Sequence, residues 1–270
     1  MQDFESKTVV ITGSATGIGK ELALQMGLEG AKVVICGRRL DRVQEAVSEL
    51  KAEGIKAAGT ACDVADREQV EALADFAEAE FGPVDVLINN AGIGQDPKPL
   101  IDMDLDVFRR VYEINIFGTL NGIQVFGRKM LDRGTPCAIY NIGSENSVFT
   151  AVPSSHAYVS SKHALLAITE LLAEETPDFM DVALIMPGLV VSEMSQGLGM
   201  PTDQFVKRVL NQLKAGEFFA VSHAYNKVRI DDRYGKLARA YDTYAPRYDG
   251  DIEYDIRNFL EMSAAGLRPC

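Results

Sequence analysis

Thr8-Val9-Val10-Ile11-Thr12-Gly13-Ser14-Ala15-Thr16-Gly17-Ile18-Gly19 is the stretch whose reading decides the fold. Thr8–Ile11 is β-branched throughout and reads as a buried strand. The glycines that follow allow a tight turn and let a ligand come close to the backbone. Lys20-Glu21-Leu22-Ala23-Leu24-Gln25-Met26 then reads as a helix. The N-terminus of that helix offers free N–H groups and a positive dipole end to a phosphate. A plain glycine-rich turn has the same composition. Placement on the first strand of a βαβ unit is what favours the phosphate cradle.

Working outward, short apolar runs alternate with amphipathic stretches. Val33–Cys36, Val84–Ile88, Ala138–Ile142 and Val182–Met186 read as buried strands, with Lys56–Ala61 a weaker one and Phe218–Val221 a candidate last strand. Helical patterns cover Gly19–Glu29, Asp41–Glu53, Arg67–Phe81, Leu105–Leu131 and Tyr158–Thr176. This order predicts an α/β fold: a Rossmann-like, doubly wound parallel sheet of about seven strands with helices on both faces. No repeat or low-complexity linker interrupts the chain, so residues 1–270 are expected to form a single domain. Within it, 193–216 reads as a substrate loop or lid, and 222–270 as a divergent C-terminal tail.

The chain has 270 residues, and 27 basic against 39 acidic side chains give a formal charge of −12. An acidic chain without a basic stripe argues against nucleic acid and anionic membrane surfaces as partners. No apolar run approaches the ~18 residues of a membrane span. The opening MQDFESK lacks the basic start and apolar run of a signal peptide, so a cytoplasmic protein is expected. Cys36, Cys62, Cys137 and Cys270 form no CxxC pair and read as free thiols, three of them buried. His156, His163 and His223 lack partners at metal spacing, so no metal site is expected.

Several further patterns carry chemistry. The strand Val33–Cys36 ends in Gly37-Arg38-Arg39, without the acidic residue that usually accepts bonds from an NAD ribose. A guanidinium there suits a 2′-phosphate, which favours NADP, although Asp41 just downstream leaves NAD as the alternative. Tyr158 and Lys162 lie four apart on one helix face. A free tyrosine has a pKa near ~10, and a nearby ammonium favours its phenolate. Ser144 ends the fifth strand, where loops of neighbouring parallel strands converge, and Ser147 is the fallback. Asn115 is an amide inside a long apolar helix, where it needs a partner.

The GxxxGxG spacing of Gly13, Gly17 and Gly19 resembles the TGxxxGIG fingerprint of the short-chain dehydrogenase/reductase family. The resemblance continues in family order to about Ser192, roughly two-thirds of the chain. It implies cofactor contacts from Gly13, Ser14, Thr16, Gly17, Ile18 and Gly19, and from Arg38 or Arg39 as NADP-preferring groups. It implies that Asp63, with Val64, meets the adenine edge, although Asp63 or Asp66 equally suits a helix N-cap. Asn89-Asn90-Ala91-Gly92 matches the NNAG motif, which steadies the central sheet, with Asn90, Ala91 and Gly92 lining the adenine ribose; a plain Asn-Gly turn after a strand is compatible with that role. Pro187-Gly188-Leu189-Val190-Val191-Ser192 resembles the PGxVxT segment around the nicotinamide carboxamide, with Ser192 in place of Thr. Asn115, Ser144, Tyr158 and Lys162 match the catalytic tetrad, in which Lys162 binds the ribose and lowers the Tyr158 pKa. The separation of Ser144 and Tyr158 is one residue longer than usual.

The implied activity is reversible hydride transfer between NADP(H) and a ketone or secondary alcohol, by a homodimer or homotetramer. A nucleotide sensor on this fold would usually lose the Tyr or Lys, and a dehalogenase-like relative would lose the glycines. An NAD-linked dehydrogenase working in oxidation is opposed only by Gly37-Arg38. Beyond Ser192, Met194, Leu198, Met200 and Phe205 suggest an adaptable apolar lid over a bulky apolar or aromatic substrate. Tyr234, Leu237 and Tyr241 fall at helical intervals and suggest an amphipathic helix.

Overall fold

Strand β1 (Thr8–Ile11) is buried at every position and lies inside the sheet, between β2 (Lys32–Gly37) and β4 (Val86–Asn89). Residues 3–258 and 260 are described by the computed structural model. With β3 (Lys56–Ala61), β5 (Cys137–Ile142), β6 (Met180–Met186) and β7 (Phe219–Val221), the strands form one sheet in the order β3-β2-β1-β4-β5-β6-β7. Every pairing is parallel, and Ile11 is in register with Ile35 on one side and Ile88 on the other. The order reverses between β1 and β4, so the crevice for a ligand opens beyond their carboxyl ends.

Both faces of the sheet are covered. Helices α1 (Gly17–Leu28), α2 (Leu40–Ala52) and α7 (Thr202–Lys214) bury Leu22, Met26, Val43 and Leu210 against Val9, Ile35 and Ile185. Helices α3 (Arg67–Phe81) and α5 (Gly118–Arg133) bury Leu73, Ala77 and Phe126 against Val10, Val34 and Ile139 on the other face. Because both faces are dry, the strands read as apolar runs rather than as alternating patterns. Three cysteines, Cys36, Cys62 and Cys137, are buried and free, and the thiols of Cys36 and Cys62 hydrogen-bond to each other. Cys270 lies outside the described residues.

Three details differ from expectation. The helix expected over 105–131 is two helices, α4 (Leu105–Tyr112) and α5, joined by a π-helical turn at Glu113–Phe117. Periodicity does not reveal this turn, because the apolar face continues through it. The fourth strand starts at Val86 and runs on to Asn89, two residues later than expected at its start. Phe205 is fully buried in the core on α7, and Met200 packs against that core. Of the four residues expected to form a lid, only Met194 and Leu198 are exposed.

The chain divides into two compact units, Met1–Ala224 and Tyr225–Cys270. The first holds the whole sheet and is a single Rossmann-like domain. The second begins with α8 (Asn226–Tyr244) and continues through a short 3-10 turn at Asp251–Tyr254. No residue of α8 is buried. Among the described residues, no helix is long and apolar enough to cross a membrane, and no cluster of His, Cys, Asp or Glu is placed to hold a metal.

Candidate active site

The turn after β1 is fixed by polar contacts that the glycines make possible. Gly13 and Gly17 both take left-handed backbone, at φ of 60° and 59°. A Cβ on Gly13 would lie 2.7 Å from the Ala91 Cα, so only glycine lets the turn press against the end of β4. The same contact is secured by side chains. The Asn90 amide nitrogen donates to the carbonyls of Thr12 and Gly13, both at 2.8 Å. The backbone N–H groups of Asn90 and Ala91 donate to the Thr12 hydroxyl. Gly19 packs directly on Asn90. Helix α1 starts at Gly17, and Thr16 makes no side-chain cap, which leaves the first-turn N–H groups pointed at the crevice.

Two predicted cofactor residues have a different place. Ser14 is fully buried; its hydroxyl donates to the Ile11 carbonyl and accepts from the Cys36 N–H. It braces the turn against β2 rather than facing the crevice. Ile18 turns its side chain onto the core, so only its backbone is open to a ligand. Arg38 and Arg39 are both exposed just beyond β2. Arg39 lies 3.7 Å from the Glu193 carboxylate. Beyond β3, Asp63 accepts from the Ala65 N–H at 3.1 Å and pairs with Arg110 at 3.4 Å, and Val64 lies beside Gly118. Asp66, not Asp63, caps α3.

Beyond β6, Pro187 and Val190 are buried. Gly188 sits where a Cβ would run into the His223 ring, at 2.6 Å. Ser192 lies beside Gly17, whose Cβ would be 3.5 Å from that of Ser192. The sixth-strand loop therefore meets the glycine turn, as a single dinucleotide site requires.

The four candidate catalytic residues gather at the same edge. Asn115 sits in the π-helical turn, 1% exposed, and its amide is fully used. Its Oδ1 accepts from the Ile93 N–H at 2.8 Å, and its Nδ2 donates to the Ile93 carbonyl and the Ser161 hydroxyl. Tyr158 and Lys162 lie in the first two turns of α6 (His156–Glu175). Lys162 is buried, and its Nζ donates to the Ile142 carbonyl at 2.6 Å, 5.8 Å from the centre of the Tyr158 ring. A Cβ built on Gly92 would lie 3.4 Å from the Asn115 Oδ1 and 3.7 Å from that Nζ, so the loop after β4 runs directly beside both groups.

Ser144 is held as a donor. Its Oγ accepts from both the N–H and the side-chain amide of Asn146, at 3.1 and 3.2 Å. Its own proton is thereby left to bond Tyr158. Ser147, the fallback, is buried with its Oγ taking the Ser144 N–H, so it serves the local turn.

Burial sets the electrostatics. It pushes the Tyr158 phenol above its usual value; the Ser144 hydrogen bond pulls it down and the Glu145 carboxylate pushes it up. Burial also lowers the Lys162 ammonium to about 8. Desolvation outweighs the Ser144 hydrogen bond, so the net shift of the Tyr158 phenol is upward.

Sequence reasoning missed two supports outright and found only the Asn89 end of a third. Asn146 orients Ser144, and Gln95 bonds the start of α6. A buried chain from Asn89 to Asn141 to Thr169 ties β4, β5 and α6 together. Only Asn89 and Asn141 carried a sequence signal, as polar residues at the ends of apolar strands.

This fold and site define a class of nucleotide-dependent oxidoreductases. Residues 7–202 match the family model described as short chain dehydrogenase. The chain belongs to the short-chain dehydrogenase/reductase family, whose members bind nicotinamide dinucleotides. It is 31% identical over 247 residues to 1-deoxy-11-beta-hydroxypentalenate dehydrogenase of Streptomyces exfoliatus, covering 87% of this chain and 90% of that one. It is 34% identical over 224 residues to 2,5-dichloro-2,5-cyclohexadiene-1,4-diol dehydrogenase of Sphingobium indicum, covering 83% and 88%. A solved structure of a short-chain dehydrogenase from Novosphingobium aromaticivorans superposes with a TM-score of 0.86 at 29% identity, covering 98% of each chain.

Proposed function

We propose that the protein transfers hydride between NADP(H) and a ketone or secondary alcohol, with reduction of a bulky apolar or aromatic carbonyl as its working direction. The gathering of Tyr158, Ser144 and Lys162 where the end of β5 meets the start of α6 carries this reading; the Tyr158 phenol, pushed above its usual value by burial, holds its proton at neutral pH as a free tyrosine does. A group in that state is ready to protonate a carbonyl oxygen. When bound, the nicotinamide dinucleotide supplies the hydride.

The chain's own groups divide the remaining work. Ser144, whose Oγ accepts two bonds from Asn146, donates a hydrogen bond to the carbonyl oxygen while keeping its own proton, and so fixes that oxygen beside Tyr158. Lys162 holds the nicotinamide ribose. Asn115 fixes Ile93 against α6 through Ser161 and supports proton relay from Lys162. The α1 N-terminus with Gly13, Thr16, Gly17, Ile18 and Gly19 takes the pyrophosphate. Asp63, Val64 and Asn90 to Gly92 line the adenosine half. Pro187, Gly188, Val190 and Ser192 receive the carboxamide. Exposed Met194 and Leu198 give the substrate side an apolar cover. Both relatives named above are dehydrogenases of alcohols, one a hydroxypentalenate and one a cyclohexadiene diol, which supports a ring-bearing substrate.

An NAD-linked oxidation is the second reading. The Glu193 carboxylate near Arg39 favours it, because an anion there repels a 2′-phosphate. The two readings separate in the double variant Arg38→Ala/Arg39→Ala. If NADP is the cofactor, the NADPH Kd rises about 10–100-fold, the size expected from losing charge-assisted phosphate bonds, while the NADH Kd stays within about two-fold. An unchanged NADPH Kd, or tighter NADH binding in the parent protein, decides for NAD. Turnover is read by nicotinamide absorbance against aliphatic, ring and aromatic ketones.

A further inference from the structure

Gln95 lies in the loop after β4, three residues past Gly92, and reaches the first turn of α6. Its Oε1 accepts from the Ala157 N–H at 2.7 Å and from the Tyr158 N–H at 3.2 Å. These are the second and third helical positions, whose N–H groups a capping side chain ordinarily takes. The residue that should supply that cap, Ser155, makes no such bond. The cap of α6 is therefore supplied from 62 residues earlier in the chain. The other end of the same amide faces the His156 ring, with Gln95 Nε2 at 3.0 Å from Nε2 and 3.3 Å from Nδ1. The His156 ring in turn stacks on Phe108 of α4.

We infer that Gln95 is a positioning residue: by capping α6 from the β4 loop, it holds Tyr158 in the place where Ser144 and the reacting oxygen meet it. This rests on the reading of Tyr158 as the acid–base group. Tyr158 belongs to the first turn of α6, the part of a helix that frays when its N–H groups lack acceptors. A displacement on the order of 1 Å at a reacting group lowers rate about 10²-fold. The same amide joins the segment carrying Gly92 to the helix carrying Lys162, so the two walls of the cleft keep a fixed spacing. Charged groups near Tyr158 are Glu145, on the turn after β5, and Lys162, with His156 two residues earlier on α6.

Two variants test the assignment. Gln95→Leu removes the acceptor and is expected to lower kcat about 10–100-fold. The dinucleotide Kd should change by less than kcat does, because the glycine turn that takes the pyrophosphate is untouched while the walls at Gly92 and Lys162 lose their tie. Gln95→Glu restores an acceptor, now anionic, at the helix N-terminus, where the dipole favours it. It should recover at least half of the lost kcat in reduction. Its charge should also move the alcohol-oxidation pH profile to higher pH, since an anion beside Tyr158 raises the phenol. Gln95→Leu with turnover within two-fold of the parent overturns the inference, and so does a loss that Gln95→Glu does not repair. Should Gln95→Leu not fold, Gln95→Glu alone decides: an alkaline displacement supports the cap, and an unmoved profile overturns it. Tyr158→Phe, measured in parallel, separates the two ideas. Full turnover in that variant removes the acid–base reading whatever Gln95 does.

Discussion

Tyr158→Phe is expected to lower kcat by about 10²–10⁴-fold, the range that one positioned proton donor contributes. The fold should survive, because phenylalanine keeps the ring in its buried place and removes only the hydroxyl that Ser144 bonds. Dinucleotide affinity should change little for the same reason. The pH dependence gives a second signature. Burial holds the Tyr158 phenol above its usual value of 10.0, so the proton is retained across the neutral range. Reduction, which needs that proton, should be nearly flat with pH until the alkaline limit. Oxidation, which needs the phenolate, should rise as pH rises, by up to about ten-fold per unit below the phenol pKa. Tyr158→Phe should abolish this slope as well as the rate. A folded variant with near-parental turnover would end the proposed mechanism.

Lys162→Met should have opposite effects on activity and stability. The lysine is buried with its ammonium donating to the Ile142 carbonyl, and its pKa falls from the usual 10.5 to about 8. Between those values the unfolded chain binds the proton and the folded chain does not. Stability therefore rises with pH from about 8 to 10.5, and the cost of burying the charge is fully present below pH 8. That cost is about 3 kcal/mol at 1.36 kcal/mol per unit. Methionine fills similar space without a charge but leaves the Ile142 carbonyl without this donor, which takes back about 1–2 kcal/mol. The net expectation is a melting temperature a few degrees higher near pH 7, with the alkaline rise in stability gone. Turnover should fall about 10²–10³-fold, as when a preorganised donor is removed. Thermal melts at pH 7 and pH 10, with initial rates, check both halves. A destabilised variant would show that the ammonium is better solvated than its burial implies.

Most of the sheet was legible in the chain because its strands are dry on both faces and so appear as unbroken β-branched runs. The glycine turn was legible for a related reason: φ values near 60° at Gly13 and Gly17 exclude most other residues. What stayed hidden depends on distant partners or on local helix geometry. Gln95 looks like any polar loop residue until the fold brings Ala157 to it. Asn146 gains meaning only when its amide is found on Ser144. Phe205 and Met200 read as a mobile lid because apolar residues in a long connection look alike whether they cover a pocket or, as here, anchor α7 in the core. The direction of the Tyr158 shift needs the depth of burial, which spacing along one helix does not contain.

The widened turn at Glu113–Phe117 also bears on which length changes the chain tolerates. An α-helix advances about 100° per residue, so losing one residue ordinarily swings everything downstream onto a different face. A π turn spends one residue more per loop of the spiral than an α turn does. The segment between α4 and α5 thus already carries the surplus residue. Shortening it by one lets the spiral close as ordinary α-helix while both flanking helices keep their angular phase. Gly118 would still meet Val64, and Gly122 would still meet Asn89, contacts at which a rotated helix would present a side chain with nowhere to go. Asn115 lies buried within this turn, so a deletion here is expected to spare the scaffold and to cost the cleft its amide.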